Sequence, residues 1–456
     1  RDASMAGEEV DRCCVSVAEG DCALKGCELT SVGGYGVMVW GVAAPSIEEC
    51  VLTGSRQAAV ICGGYSRTSF RRNRVHGNGG FGVVVVDCAG GRFEGNAIAG
   101  NGKCGVVCAG KSEAVFELND VSDGAQGGFW LRDDTKCVIT KCTVRGNARV
   151  GIQVSDASDP LVEGNEIRGG RNGGVVVHDR AKGRFFSNDV VDNAQAGIGV
   201  MDNASPLFVG NRLQGNRAGG AVMAGNATAV LTNNAISENG FAGIGLKECA
   251  KPVLIDNRIV NNRGYGVLVH GQSHCEVSGC LLEGNYGSGL CASGSSRVGV
   301  RNCTVRGGEG EHRESTGLQV QDFAHVEVKD CVVTGHSGSN VFGRDESSLV
   351  LRAGFVSHAH GAGLVLQGRC RARMEGVQVG ENRVCNVIAL DKSTLDMVEG
   401  AVSDSRGVGL MVSSGARAAL NGVAVSGNGG AGIYGTGGGG VVVKGCRVSG
   451  VVVKGC

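Results

Sequence analysis

Proline is almost missing from this chain, with four residues in 456 where about 5% is usual, which excludes collagen and any polyproline architecture. Aromatic side chains are also few: twelve Phe, five Tyr and two Trp. Neither sign of charge is in excess, since Lys plus Arg and Asp plus Glu are 44 each. Nothing therefore pulls the chain electrostatically onto nucleic acid or an anionic membrane. No apolar run approaches the ~18 residues of a membrane span, and Arg1 to Arg12 contain no signal-peptide core. The 21 cysteines form no CxxC pair and no four-ligand zinc spacing. They read as reduced thiols, which predicts an intracellular protein of the cytoplasm or cytoskeleton. Three sequons, at Asn203, Asn226 and Asn302, keep an extracellular setting open.

What the chain has in excess is glycine, 81 residues, within a composition 42% hydrophobic that does not fit disorder. The glycines are ordered. A glycine preceding an apolar triplet (Gly36, Gly82, Gly151, Gly243) marks a register at 13, 36, 59 and so on to 289, then from 317 to 432. Every interval is 23 residues except one of 28, giving 19 units with one five-residue insertion. Such strict periodicity means a repeat architecture.

Each column of the repeat has one chemistry. Residues one and three after the marker are apolar (Val37 and Val39, Phe129 and Leu131, Ile152 and Val154), an alternation that predicts a strand. Further stripes lie eleven after it (Ile47, Phe70, Phe93, Phe116, Phe185, Phe208) and sixteen after it (Leu52, Val75, Ile98, Val144, Ile167). Three short strands per repeat predict an all-β fold, a single-stranded right-handed parallel β-helix of about 19 coils of 23 residues. A leucine-rich repeat shares the period, but lacks the second and third strands rich in Val and Phe. The marker, glycine in 15 of 19 units, is expected at a positive-φ corner. Position fourteen carries Asn73, Asn96, Asn119, Asn165 and Asn188, expected to stack as an amide ladder. Cys27, Cys50, Cys142, Cys280, Cys303, Cys331 and Cys446 replace Asn in that column. Residues 1–12 are expected to cap or lead into the β-helix of 13–456, with the insertion at 309–316. The motif GVVVKGC occurs twice, at 440–446 and 450–456, out of step with the repeat.

Segments such as GNRLQGNRAGGAVM (210–223) and DNRIVNNRGYGVLV (256–269) resemble the right-handed β-helix repeat family, within the pectin-lyase-like superfamily. Its members include NosD-like periplasmic proteins, pectin- and alginate-active enzymes, and the β-helix of F-box and spindle-associated adaptors. The resemblance implies the fold over nearly the whole chain, and no single activity. It also implies where an enzyme of this kind would carry its chemistry, outward on one strand face across neighbouring coils. The Asp-Pro-His-Asp element of alginate epimerases, the Arg-x-Pro-x-x-Arg strand of pectate lyases and the Asp triplets of polygalacturonases are absent, Val177 to Asp179 keeping only Val-His-Asp.

Three groups of residues stand out. Position five gives Asp133, Asp156, Asp179 and Asp202 in successive coils, with Arg132 and His178 beside them, a column suited to Ca²⁺ or acid/base work. Asp or Gly fills the column nearly throughout, so each is also expected as an Asx-turn residue bonding its own backbone. His312, His336, His358 and His360 converge on one edge as a candidate zinc set. The second position of the first strand is apolar although it should face solvent (Trp130, Val176, Val222, Leu268, Phe342, Ile388, Met411, Tyr434), as on an interaction face.

These features lead to two expectations. The first is a non-catalytic scaffold or adaptor without cofactor, binding other proteins along that outer face or at the solenoid ends, within a cytoskeletal or ciliary assembly. The alternative is a carbohydrate-active or carbohydrate-binding protein using the Asp133 to Asp202 column, with polysaccharide as its partner.

Overall fold

The computed structural model describes residues 13–308 and 315–453. It is all-β, a right-handed parallel solenoid of about 19 turns of roughly 23 residues. The chain divides into two compact units, 1–222 with 227–230 and 223–226 with 231–456. The N-terminal residues 1–12 lie outside the described residues, as do 309–314 of the insertion. No helix long and apolar enough to cross a membrane occurs among the described residues.

Within each unit, strands pair in parallel with their counterparts one repeat away. In unit 1 the first strand Phe81–Val85 pairs with Ala58–Cys62 and with Val106–Cys108. The second strand Gly90–Glu94 lies between Arg67–Arg71 and Glu113–Glu117, and the third, Ala97–Ala99, between Arg74–His76 and Asp120–Ser122. In unit 2, His325–Thr334 and Ser348–Ser357 continue their pairing through the second and third positions, across left-handed corners at Asp330 (φ 54°) and Ala353 (φ 53°), and so join the second- and third-strand ladders. The second GVVVKGC copy contributes Val451–Val453, which pairs with Ile433–Gly435 as a first strand.

The predicted inward stripes are the core. Val83, Val85, Phe93 and Ile98 are fully buried, as are their equivalents along the chain. Phe93 stacks on Phe116 with ring centroids 4.8 Å apart, and Phe185 on Phe208 at 4.7 Å. Burial of one such ring contributes about 1.5–3 kcal/mol, so one coil's interior is secured by three or four side chains.

The marker glycine is not at a positive-φ corner, contrary to expectation. Left-handed residues instead occupy three other places per coil, five, thirteen and eighteen after the marker: Asp133 (φ 67°), Lys141 (φ 52°) and Gly146 (φ 64°) in one repeat, Asp179 (φ 59°), Ser187 (φ 51°) and Asp192 (φ 54°) in another. The marker is glycine for want of space. A Cβ on Gly174 would stand 2.3 Å from Val190 Cγ1, 2.8 Å from the Gly197 carbonyl oxygen and 2.9 Å from Asn193 Nδ2. Steric room, rather than backbone freedom, fixes the residue.

The amide ladder forms as predicted. Asn73 Nδ2 donates to the Ile47 carbonyl (2.9 Å) and to Asn96 Oδ1 (3.1 Å), while Asn96 Oδ1 also accepts the Asn73 N–H (2.9 Å). Cysteine continues it: the Asn119 N–H donates to Cys142 Sγ at 3.4 Å, and Cys142 Sγ donates to the Phe116 carbonyl at 3.6 Å. All described cysteines are free thiols. A second, unpredicted ladder runs nineteen after the marker through Asn78 and Asn101, through Asn193 and Asn216, and in unit 2 through Asn239, Asn262 and Asn285. It satisfies buried backbone groups at the third corner.

Candidate functional site

The acidic column sits at the corner that closes the first strand. Each carboxylate accepts a backbone N–H from the coil before it: Gly110 to Asp133 (2.8 Å), Asp133 to Asp156 (3.0 Å), Asp156 to Asp179 (3.2 Å) and Asp179 to Asp202 (3.1 Å). The expectation that each would bond its own backbone is corrected, because the left-handed corner aims the side chain across the coil spacing. Ser155 Oγ adds a bond to Asp156 Oδ2 (3.1 Å). The Asp133 N–H first, with Ser155 and the nearby Arg132 and His178, holds the Asp156 carboxyl below the usual range, against a smaller opposing effect of burial.

His178 brings this column together with the first-strand face. Gln153 Nε2 donates to His178 Nε2 (2.9 Å), which leaves the ring proton on Nδ1, where it is donated to Asp179 Oδ2 (2.9 Å). Gln153 is the outward residue of Ile152–Val154 and His178 follows Val175–Val177, so two adjacent strands build the relay. His178 is 25% exposed and Asp179 48%. Donor atoms of His178, Asp179 and Asp202 lie within 4.8 Å of one another, a set chemically able to hold a divalent cation. One coil before Gln153, the Arg132 guanidinium lies 5.2 Å over the Trp130 ring and 3.4 Å from Asp133 Oδ1. Sequence reading found Asp133 to Asp202, Arg132 and His178. It missed Gln153, whose signal is an amide in a mostly apolar outward column, shared only with Gln319.

Among the described residues, His336, His358 and His360 do not come together as a metal-holding group. His336 is 2% exposed and occupies the second ladder, its Nδ1 at 2.9 Å from Asn340 Oδ1. His358 is exposed and pairs with Glu381 at 2.8 Å, and His360 is exposed. His312 lies outside the described residues.

The eight outward first-strand residues, Trp130, Val176, Val222, Leu268, Phe342, Ile388, Met411 and Tyr434, are all half-buried rather than free. In-register neighbours shield one another: in unit 1, Val84 and Val107 pack with Ala58 and Cys104, and Tyr35, Ile61, Phe81, Val86 and Trp130 pack against them. Lys103 lies 4.8 Å over the Phe81 ring. Apolar surface in unit 1 thus leads along the first-strand face to Arg132 and His178.

Among solved structures, the chain is similar to a periplasmic alginate epimerase (15% identity, 79% of this chain and 85% of that one, TM-score 0.40). It is also similar to a pectate lyase (16%, 55% and 67%, TM-score 0.34) and to the A-module of the mannuronan C-5 epimerase of Azotobacter vinelandii (11%, 82% and 90%, TM-score 0.29). At these identities the likeness is one of fold. No curated protein matches the chain. The family described as right-handed β-helix region matches residues 12–167, 151–305 and 292–448, and with nearly every coil covered the chain belongs to that family.

Proposed function

We propose that the protein is carbohydrate-active, the alternative of the two expectations, and that it abstracts a proton from a uronate-containing polysaccharide at the outer face of unit 1. The observation that carries the reading is the Gln153–His178–Asp179 relay, set one coil from Trp130 and Arg132. Asp179 orients the ring and stabilises the imidazolium formed when Nε2 takes the proton, and the electron pair left behind is delocalised into the sugar carboxylate. The imidazolium, after exchanging its proton with solvent, returns one to the same carbon, so that the reaction is exchange or epimerisation rather than chain cleavage. Gln153 yields its bond to Nε2 as substrate displaces it. Arg132, held over the Trp130 ring, neutralises the sugar carboxylate, which acidifies the adjacent carbon. Paired-carboxylate hydrolysis is disfavoured, because it needs one protonated acid, whereas Asp156 is held ionised by its N–H and hydroxyl donors.

The test is incorporation of solvent deuterium at the ring carbon beside the carboxylate, followed by NMR on alginate and polygalacturonate. Label is expected with the wild-type chain, and His178→Ala should slow it by roughly 10²–10⁴-fold. Absence of label in both polymers, or an unchanged rate in His178→Ala, overturns the reading.

A further inference from the structure

A second surface, in unit 2, repeats the chemistry of that face without its histidine relay. Phe241 is 51% exposed and Tyr286 56%, yet neither ring belongs to the core stripes. Phe241 and Tyr265 meet edge to face with centroids 5.8 Å apart. Each lies against a glycine of the following coil: a Cβ on Gly264 would stand 3.2 Å from Phe241 Cδ2, and one on Gly287 3.3 Å from Tyr265 Cδ1. The glycine column therefore gives two rings room to lie along the surface. Large aromatic rings held open to solvent carry a cost that folding does not repay.

Beside this shelf runs a chain of amides. Ser288, two residues after Tyr286, donates through Oγ to Gln319 Oε1 (2.9 Å), and Gln319 Nε2 donates to Gln321 Oε1 (2.9 Å). Arg344 closes the chain, donating to Gln321 Oε1 from Nε (3.1 Å) and from a terminal nitrogen (2.6 Å). Its side chain is 45% exposed and its Nε also lies 3.5 Å from Asp345 Oδ2. The residues come from three successive first strands, Ser288–Ala292, Thr316–Val320 and Val341–Gly343, and their flanks. Gln319 stands in the same outward column as Gln153.

We infer that this surface of unit 2 is a polysaccharide-binding site without catalytic function, in which pyranose rings stack on Phe241, Tyr265 and Tyr286 while their hydroxyl and carboxylate oxygens bond to Gln319 and Arg344. Rings beside a fixed array of amide and guanidinium donors match a sugar, which has an apolar C–H face and a polar rim. An apolar protein partner fits worse, since covering each amide without a partner costs about 1–3 kcal/mol. The inference rests on the reading that the chain handles polysaccharide, and it gives that reading a holding site separate in residues from the His178 relay.

The experiment compares the full chain with Phe241→Ala/Tyr286→Ala and with Gln319→Ala, measuring affinity electrophoresis in gels containing alginate, and deuterium incorporation into short oligouronates. Phe241 and Tyr286 are exposed, so an unchanged melting curve is expected for the double variant. Gln319→Ala removes the acceptor of the buried Ser288 hydroxyl and is compared at a temperature where its own melting curve shows it folded. The double variant should weaken alginate retardation at least tenfold and Gln319→Ala severalfold, with oligouronate turnover unchanged. Equal retardation of wild type and double variant overturns the inference and leaves the His178 reading standing. Retardation that depends on Phe241 and Tyr286 without any deuterium incorporation supports the inference and sinks the catalytic reading. No retardation of the wild-type chain overturns the inference outright.

Discussion

The two units share a coil and differ in where they depart from its rule. In unit 1 the described interior is regular from the second coil on: the marker is Gly or Ala, and the second ladder holds Asn, Ser or Gly. Its departures lie outside, where Gln153 and His178 replace apolar or small residues. Unit 2 departs inside as well. His336 takes a ladder position, and Asn340 and Asn386 take marker positions, all buried to 2% exposure or less. These interior changes are linked. Where the marker is glycine and the ladder residue is Asn, its amide occupies the corner: Asn262 Nδ2 would be 2.9 Å from a Cβ on Gly243, Asn382 Nδ2 2.7 Å from one on Gly363. Where the marker is Asn340 or Asn386, the ladder residue of the same coil shrinks to Ala359 or Ser405. The corner admits one amide and accepts it from either side.

The largest expected difference between the units is a pH response. Burial pushes the His336 imidazole down to about 4 despite its bond to Asn340. Its folded value lies below the ordinary ~6.5, so the stability it contributes is complete above that pH and is lost as pH falls toward about 4. The span corresponds to about 3 kcal/mol. Denaturant melts of wild type and His336→Asn between pH 4 and 7.5 should diverge by that amount on acidification, Asn being the resident of this ladder elsewhere. Parallel curves would show that unit 2 tolerates the charged ring and that its interior is no more sensitive than that of unit 1.

A smaller effect tests the linked corner. Asn386 Nδ2 donates to the Ser403 carbonyl (2.7 Å) and Asn428 Oδ1 (3.0 Å), and Asn382 Nδ2 donates to Asn386 (2.8 Å). Asn386→Gly strands these groups and is expected to cost about 1–3 kcal/mol. Ser405→Asn alone crowds the occupied corner, at a similar cost. Together they recreate the Gly243 and Asn262 arrangement, so the double variant should recover at least ~1 kcal/mol relative to additivity. Additive melting shifts would mean that the two positions do not share one space.

How far this was legible in the sequence depends on the physics involved. The inward stripes and the first ladder were readable because burial imposes one residue type per column, and Phe93, Phe116 and Asn96 stand where the columns put them. The second ladder was equally visible as Asn78, Asn101, Asn193 and Asn216, and a count along that column would have found it. The marker's reason was not legible. Glycine answers both to positive φ and to lack of room, and only the distances around Gly174 separate them. The site was half legible. His178 beside Asp179 is adjacent in sequence, but Gln153 reaches the ring across the coil spacing, and Phe241 is recognisable as exposed only once its ring is seen lying over Gly264.

The smallest expected effect sharpens the comparison of the two outer faces. Gly199 in unit 1 and Gly245 in unit 2 occupy the outward column, and neither has positive φ. A Cβ at Gly199 meets Val176 Cγ2 at 3.4 Å and Met201 Cε at 3.7 Å, ordinary contacts, and one at Gly245 meets nothing within 4 Å. Alanine at either place should therefore raise stability by about 0.4–1 kcal/mol, through the reduced freedom of the unfolded chain. The marker glycines allow no such gain, because their Cβ positions are filled. If thermal melts place Gly245→Ala below wild type while Gly199→Ala rises, the outer face of unit 2 is more tightly covered than its half-buried neighbour Leu268 implies. Equal small gains would show that both faces are open at this column, as a surface that receives a ligand from solvent must be.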